Sequence, residues 1–309
     1  MSKYRILIST ASFLLDEYDI EEIVGNLDIE FIKNPYERKL TEDEMISLLK
    51  DVDGVIAGLE SYSKKVILTA SKLKAIARVG TGLTNIDFES IKEHGIKVSN
   101  TPLAPVDAVA EMTLAAMLTL SREIISSNDA MHQGVWKRIK GFTLKEATVL
   151  LIGYGRIGKR VSELLKPFGA NLLVCDISSE IVGSNNKKYI PLHEGLAQAD
   201  IISLHASGID TIIGEREFSV MKTGAVLLNS ARGELVDEDA LIKALENGKI
   251  SRVWFDAFWV EPYSGKLVKY KQALLTPHIA AYTECSRKSM EKEALVNLLS
   301  DLKLLSHSE

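Results

Sequence analysis

The chain has 309 residues, of which 46% are hydrophobic and 26% are charged, a balance that excludes a disordered chain and suits two folded domains. The net charge of −5 argues against nucleic acid or an anionic membrane as a partner, and no apolar run is long enough for a membrane helix. The two cysteines, Cys175 and Cys285, lack metal or redox spacing. We therefore expect no metal site and a soluble, cytoplasmic protein with reduced thiols.

Through the first hundred residues, short apolar runs alternate with amphipathic segments. The predicted strands are Tyr4–Ile8, Ile29–Ile32, Val55–Ala57, Lys74–Val79 and Ile96–Val98. Thr41 and Glu44 have the spacing of a capping box, which predicts a helix start. Strands that alternate with helices predict a parallel sheet with helices on both faces.

The segment Ala108–Ile125 differs from what precedes it because it carries almost no charge. Its apolar residues surround the helical axis nearly completely, which predicts a helix that is buried on most sides. Such a helix would lie against the other domain, against a second subunit, or both.

A second alternating series follows. Its predicted strands are Thr148–Ile152, Asn171–Cys175, Ile201–Leu204, Ala225–Leu228, Val253–Phe255 and Leu274–Thr276. Apolar residues at helical spacing from Met290 to Leu302 predict a C-terminal helix. The chain therefore contains two α/β units of different character.

A glycine-rich turn joins the first strand of the second series to a helix. The turn has the pattern G-x-G-x-x-G, with glycines at 153, 155 and 158. Gly153 allows the tight turn, Gly155 leaves room for a pyrophosphate, and Gly158 lets the helix approach the strand. The free amides at the helix start favour phosphate. The alternative is a purely structural turn. It is less favoured because a predicted strand directly precedes the glycines and a predicted helix directly follows them.

Asp176 ends the next strand, where an acid can accept hydrogen bonds from both ribose hydroxyls of NAD. The same carboxylate would repel the extra phosphate of NADP. Ser178 and Ser179 follow with no arginine nearby, so we expect NAD as the cofactor.

Three residues at the ends of later strands have the chemistry of hydride transfer to a keto acid. Arg232 can hold a carboxylate with two bonds and polarise the carbonyl. His278 can donate the proton, and an ionised Glu261 can select its tautomer. Each residue alone would more often be a surface residue; their shared position at carboxyl strand ends favours a catalytic triad. The remaining histidines are expected to be structural or exposed: His94, His132, His193, His205 and His307.

Seven stretches together resemble the D-isomer-specific 2-hydroxyacid dehydrogenase family across essentially the whole chain. They are Arg78–Asp87, Val98–Pro102, Ala108–Glu111, Gly153–Gly158, Asn229–Gly233, Phe255–Pro262 and Pro277–Ile279. The resemblance implies two doubly wound parallel-sheet domains, with a Rossmann cofactor domain (102–282) inserted into a flavodoxin-like substrate domain (1–101 plus 283–309). It also implies a homodimer joined through the cofactor domains.

The resemblance also implies roles for individual residues. It assigns substrate binding and catalysis to Arg232, acid/base work to His278 and its support to Glu261. It implies that the segment Arg78, Val79, Gly80 and Thr81 binds the substrate carboxylate, largely through backbone amides. It places the following residues at the cofactor: Gly153, Gly155, Arg156, Ile157, Gly158, Asp176, Ala231 and Asp256, the last on the nicotinamide carboxamide.

The substrate is less clearly indicated. Phosphate-handling relatives place an arginine after the third strand, where this chain has Gly58, Leu59 and Glu60, and the charge of Glu60 would repel a phosphate. We therefore expect a small 2-keto acid such as glyoxylate or hydroxypyruvate, with 3-phosphoglycerate dehydrogenase as the alternative. A non-catalytic NAD-sensing corepressor and a hydrolase of S-adenosyl compounds are further alternatives. Ala206–Gly208 departs from the family's adenine pocket, and Trp259 and Tyr263 suit either a substrate wall or a loop anchor.

Overall fold

The chain folds into two compact units in a computed structural model that describes residues 3–177 and 188–305. The first unit combines residues 1–105 with 283–309, and the second is the continuous segment 106–282. A single parallel sheet forms the centre of each unit.

The first unit contains a five-stranded sheet in the order β2-β1-β3-β4-β5, with every pair parallel. The strand order 2-1-3-4-5 is that of the flavodoxin-like fold, which confirms the predicted class. β3 is buried at every position because helices cover both faces. The strands are β1 (Tyr4–Ile8), β2 (Ile29–Lys33), β3 (Gly54–Ala57), β4 (Ala75–Arg78) and β5 (Lys97–Asn100).

The second unit contains a seven-stranded parallel sheet in the order β12-β11-β10-β9-β6-β7-β8. Counted from β6, the order is 7-6-5-4-1-2-3, which is the Rossmann order 3-2-1-4-5-6 with one further strand. The predicted Rossmann fold is therefore confirmed. The strands are β6 (Thr148–Ile152), β7 (Asn171–Cys175), β8 (Lys188–Tyr189), β9 (Ile201–Leu204), β10 (Ala225–Asn229), β11 (Ile250–Phe255) and β12 (Ala273–Leu275).

The helices of the described residues pack on both faces of these sheets. The capping box at Thr41 and Glu44 is present, as predicted, because it depends only on local sequence. The helices are α1 (Glu17–Val24), α2 (Glu42–Leu48), α3 (Lys64–Thr69), α4 (Phe88–Glu93), α5 (Val106–Ser121), α6 (Ile124–His132), α7 (Arg156–Leu165), α8 (Leu192–Gln198), α9 (Glu215–Val220), α10 (Glu238–Glu246) and α11 (Glu284–Asp301).

The nearly uncharged helix α5 ends earlier than its composition predicts. The helix stops at Ser121, and Glu123 adopts a left-handed conformation with φ 55° before α6 begins. The Ser121 carbonyl accepts the amide of Phe142, and Glu123 forms an ion pair with Arg252 on β11. These long-range contacts end the helix although the apolar pattern continues. Within α5 only Asp107, Glu111 and Ala115 are exposed, along one narrow stripe, so the helix is covered on most sides, as its composition predicts.

Candidate active site

The glycine-rich loop after β6 is shaped by close backbone approaches. Gly153 has φ +91°, and a Cβ there would lie 2.5 Å from the backbone nitrogen of Ala206, just past β9. A Cβ on Gly158 would lie 2.2 Å from the carbonyl oxygen of Gly153. A Cβ on Gly155, in contrast, would meet no described atom within 4 Å. Gly153 and Gly158 are therefore needed for packing, whereas Gly155 leaves open space at the start of α7.

Asp176 follows β7 and lies against this loop. Its carboxylate accepts the backbone amide of Tyr154 at 2.5 Å. Gly155 is the N-cap of α7, and no described side chain caps the first turn of that helix. An open glycine, an uncapped helix N-terminus and an acid at the next strand end fit a dinucleotide. Ser178 and Ser179, which bear on the same expectation, lie outside the described residues.

The structure brings His278 and Glu261 together, as the sequence predicts. The Nδ1 atom of His278 lies 2.9 Å from both carboxylate oxygens of Glu261, and Oε1 also accepts the amide of Phe258 at 3.1 Å. Burial acts to raise the pKa of Glu261, but the hydrogen bond and charge of His278 outweigh it, and the pKa lies below its usual value. Glu261 is therefore ionised at neutral pH, and it directs the Nε2 atom of His278 away from itself.

Arg232 lies on a tight loop after β10 that the buried Asn229 closes. The Asn229 side chain donates to the Arg232 carbonyl at 2.7 Å and accepts the Ala231 amide at 3.0 Å. A Cβ on Gly233 would lie 2.3 Å from the backbone of Phe258, so this loop packs directly on the segment that leads to Glu261. The positive charge of Arg232 contributes to the lowered pKa of Glu261. Asn229 is a supporting residue that the sequence did not single out.

The loop that carries His278 is held by Asp256, which is 1% exposed. Its carboxylate accepts the hydroxyl of Thr276 at 2.6 Å and the amides of Ile279 and Ala280 at 2.9 Å. Asp256, Glu261 and His278 therefore belong to one connected region of the second unit.

Trp259 and Tyr263 anchor the loop around Glu261. The Trp259 ring stacks on Phe255 with centroids 5.3 Å apart, and its Nε1 donates to the carbonyl of Val236 at 2.7 Å. The Tyr263 hydroxyl donates to Glu238 at 2.5 Å, and burial together with this carboxylate raises the pKa of Tyr263 to about 12. Of the two alternatives left open by the sequence, these contacts support the loop anchor.

In the first unit, the segment 78–81 begins at Arg78, the last residue of β4. The amide of Val79 donates to the Ala57 carbonyl at 2.8 Å, and the amide of Gly80 donates to the Thr101 hydroxyl at 2.6 Å. Arg78 is buried and donates to the Val79 carbonyl at 2.7 Å. Two of the three amides expected at the substrate carboxylate are thus used within the protein; for the exposed Thr81 amide, the described residues offer no partner.

Glu60 does not present its charge as the sequence suggests. It is 1% exposed, and its carboxylate accepts the Ser9 hydroxyl at 3.0 Å and the Gly58 amide at 2.9 Å. Burial raises the pKa of Glu60. The expectation that this residue adds a repulsive charge beside the substrate is therefore wrong, because the side chain turns into the core.

The histidines outside the triad mostly have structural contacts. His193 pairs with Glu217 at 2.9 Å on the surface, and His94 bonds the Ser90 carbonyl. His205 contacts Ser203 at 2.9 Å, and burial lowers its pKa to about 4, so it stays neutral. His132 ends α6, and His307 lies outside the described residues.

The fold and the site together define a dinucleotide-binding α/β enzyme with a histidine–carboxylate pair. A model of the "D-isomer specific 2-hydroxyacid dehydrogenase, NAD binding domain" matches residues 114–280. The chain belongs to the D-isomer-specific 2-hydroxyacid dehydrogenase family, which confirms the resemblance seen in the sequence.

Individual relatives agree with this assignment. The chain is 32% identical over 298 residues to a glyoxylate reductase of Thermococcus litoralis, covering 88% of this chain and 89% of that protein. It is 37% identical over 260 residues to a D-3-phosphoglycerate dehydrogenase of Methanocaldococcus jannaschii, covering 81% of this chain and only 50% of that protein. The crystal structure of a glyoxylate reductase from Paecilomyes thermophila superimposes with a TM-score of 0.86 at 27% identity, covering 98% and 96% of the two chains.

Neither a membrane-spanning helix nor a metal-binding cluster of side chains is present within residues 3–177 and 188–305. No helix there is both long and apolar enough to cross a bilayer. No group of three or more histidine, cysteine, aspartate or glutamate side chains is arranged to hold a metal ion.

Proposed function

We propose that this enzyme is an NAD-dependent reductase of a small, non-phosphorylated 2-keto acid, of the glyoxylate or hydroxypyruvate kind. The observation that carries the proposal is the pairing of His278 with an ionised Glu261 beside the Arg232 loop. That arrangement supplies a proton donor, its tautomer and a cation, which are the groups that carbonyl reduction requires.

Each member of the triad has one role in the proposal. Arg232 holds the substrate carboxylate and polarises the keto oxygen through its planar fork. His278 gives the proton on Nε2 to the developing alkoxide, and Glu261 stabilises the imidazolium before the proton is transferred. When bound, NADH supplies the hydride. In the oxidative direction, neutral His278 accepts the hydroxyl proton.

The second unit is the proposed cofactor domain, and the first is the proposed substrate domain. Gly153, Gly155 and Gly158, together with Arg156 and Ile157 at the start of α7, would hold the pyrophosphate. Asp176 would accept the ribose hydroxyls, while Ala231 and Asp256 would lie toward the nicotinamide. Because an ionised carboxylate repels a 2′-phosphate, the proposal favours NADH over NADPH.

The preference for a substrate without phosphate follows from the cations near the end of β3. Lys64 and Lys65 begin α3. Lys65 pairs with Glu42 and Asp43 of α2, at 3.4 and 3.3 Å, and the charge of Lys64 helps to lower the pKa of Asp87. Arg78 is buried and bonded to its own segment. A phosphate dianion brought into a closed site without cationic partners costs several kcal/mol. The 37% identity to a phosphoglycerate dehydrogenase keeps that activity as the second candidate.

We also propose a homodimer, formed through the region of α6. Several large apolar side chains of this region are exposed, and Trp136 is 77% exposed. Replacing Trp136 with glutamate should shift the molar mass measured by light scattering toward that of the monomer. An unchanged dimer would exclude this surface, and a wild-type monomer would exclude the dimer. The exposed residues are Ile124, Ile125, Met131, Val135 and Trp136.

The function is tested by NADH oxidation with a panel of keto acids. Glyoxylate, hydroxypyruvate, pyruvate, 2-oxoglutarate and 3-phosphohydroxypyruvate should be compared at saturating NADH. The proposal expects the highest kcat/KM for glyoxylate or hydroxypyruvate. If 3-phosphohydroxypyruvate is the best substrate, the second candidate replaces the first; if none is reduced, the enzymatic proposal is wrong.

A further inference from the structure

Asp256 is a buried carboxylate whose hydrogen bonds converge from one short loop. It follows β11 directly and is 1% exposed. Oδ1 accepts the Thr276 hydroxyl at 2.6 Å and the Ile279 amide at 2.9 Å, while Oδ2 accepts the Ala280 amide at 2.9 Å. All three donors lie in the five-residue segment 276–280.

These donors bracket His278 on both sides. His278 has φ 54°, a left-handed conformation that is strained for a residue with a side chain. A strained residue persists only where its surroundings over-determine the backbone. Here the Asp256 carboxylate fixes the residues before and after His278, and Glu261 fixes the imidazole ring.

The contact between Asp256 and Thr276 is itself anchored in the core. The Nε1 atom of Trp254, which is fully buried, donates to the Thr276 hydroxyl at 2.9 Å. The Thr276 hydroxyl in turn donates to Asp256. A carboxylate offers about four acceptor sites, and three on Asp256 are filled by this loop. Most of the acceptor sites of Asp256 are therefore occupied by the loop that carries His278.

We propose that Asp256 is a positioning residue that acts through His278, by holding the loop 276–280 in the conformation from which the imidazole donates its proton. This inference rests on the proposed function, in which His278 is that donor. It differs from the nicotinamide contact implied by family resemblance, because its effect passes through the protein loop.

The test is Asp256→Asn, which turns one acceptor into an amide donor that faces an N–H or O–H of the loop. Three quantities should be measured: kcat for keto-acid reduction, the Kd of NADH by fluorescence, and hydrogen exchange of a peptide covering 276–282. We expect kcat to fall by about tenfold to a hundredfold, as misplacement of a catalytic group does. Exchange in the loop should become faster, and the Kd of NADH should change less than kcat.

Asp200→Asn is the matched control. Asp200 also has a carboxylate that accepts a backbone amide, that of Thr148 at 2.8 Å. It directly precedes β9, however, and so lies at the amino end of a strand, whereas Asp256 lies at a carboxyl end. This variant should leave kcat and the exchange of the 276–282 peptide unchanged.

The proposal requires both the fall in kcat and the faster exchange, so either change alone overturns it. A weaker Kd for NADH with unchanged kcat and exchange would make Asp256 a cofactor ligand only. If Asp256→Asn does not fold, Thr276→Val replaces it and should show both changes to a smaller degree, with Thr276→Ser restoring them. Wild-type behaviour of Thr276→Val would then overturn the proposal. Hydrogen exchange is measured without substrate. An enzyme that reduces no keto acid would therefore refute the proposed function, while the exchange experiment would still report on the loop 276–280.

Discussion

Replacing Glu261 with glutamine isolates the electrostatic part of the proposed acid/base pair. Both carboxylate oxygens lie 2.9 Å from Nδ1 of His278. Glutamine is nearly isosteric and keeps one oxygen for that nitrogen, but it removes the negative charge. The variant therefore changes the stability of the imidazolium while preserving the shape of the site.

The size of the effect follows from the kind of bond that is lost. A hydrogen bond between charged groups contributes about 1.5–3 kcal/mol, and a neutral one about 0.5–1.5 kcal/mol. The side chains of His278 and Glu261 are 32% and 28% exposed, so solvent screening favours the low end of the difference. A loss of about 1 kcal/mol corresponds to about 0.7 pH unit.

The sign of the pH dependence is fixed by the direction of reaction. In the proposed mechanism, reduction needs a proton on His278, so the rate of reduction is highest at low pH and falls as the pH rises. Because the lowered pKa of Glu261 keeps this residue ionised near neutral pH, it stabilises the protonated histidine throughout that range. In Glu261→Gln, kcat/KM for reduction should therefore reach half its maximum at a pH lower by about 0.7 unit. The oxidation profile should move the same way.

The assay is kcat/KM against pH in both directions, with Glu217→Gln as a matched control. Glu217 pairs with His193 at 2.9 Å on the surface of the same unit, and neither residue belongs to the glycine loop or to the proposed triad. The control should reproduce the wild-type profile. A Glu261→Gln profile that coincides with the wild type, or that moves to higher pH, would refute the reasoning.

Three further predictions concern the cofactor and the substrate. Asp176→Ala should raise the ratio of kcat/KM for NADPH to that for NADH by about tenfold or more, because a like charge near the 2′-phosphate is removed; an unchanged ratio would reject this role. Gly158→Ala should lower the free energy of unfolding by about 1–3 kcal/mol, because its Cβ would overlap Gly153. Gly155→Ala should instead raise the KM for NADH with little change in Tm, because its Cβ would meet open space. Equal effects of the two substitutions on Tm would contradict this geometry. Hydroxypyruvate should exceed 3-phosphohydroxypyruvate in kcat/KM, and a preference of about tenfold for the phosphorylated acid, which corresponds to 1.4 kcal/mol, would show that the protein supplies cations for the phosphate.

Features that depend on neighbouring residues could be predicted from the sequence. The capping box at Thr41 and the glycine pattern around Gly155 are local, because turn geometry and helix capping involve only a few adjacent side chains. The pairing of His278 with Glu261 could also be predicted, since both follow strands whose carboxyl ends meet at one edge of the sheet.

Features that depend on distant residues could not be predicted. The end of α5 at Ser121 is set by Phe142 and by the ion pair of Glu123, and neither contact leaves a signal in the apolar pattern. The inward turn of Glu60 depends on Ser9, which lies on a different part of the chain. The engagement of Asp256 with the His278 loop is likewise a contact between distant segments.

Steady-state NADH oxidation by His278→Gln tests the central claim most directly, with hydroxypyruvate and glyoxylate as substrates. His193→Gln is the matched control, because this histidine is also paired with a glutamate but lies outside the site. General acid catalysis contributes about 10²–10⁴-fold, so kcat of His278→Gln should fall by at least about a hundredfold while His193→Gln keeps the wild-type rate. A wild-type enzyme that reduces these acids, combined with a His278→Gln variant of similar kcat, would contradict the assignment of His278 as the proton donor.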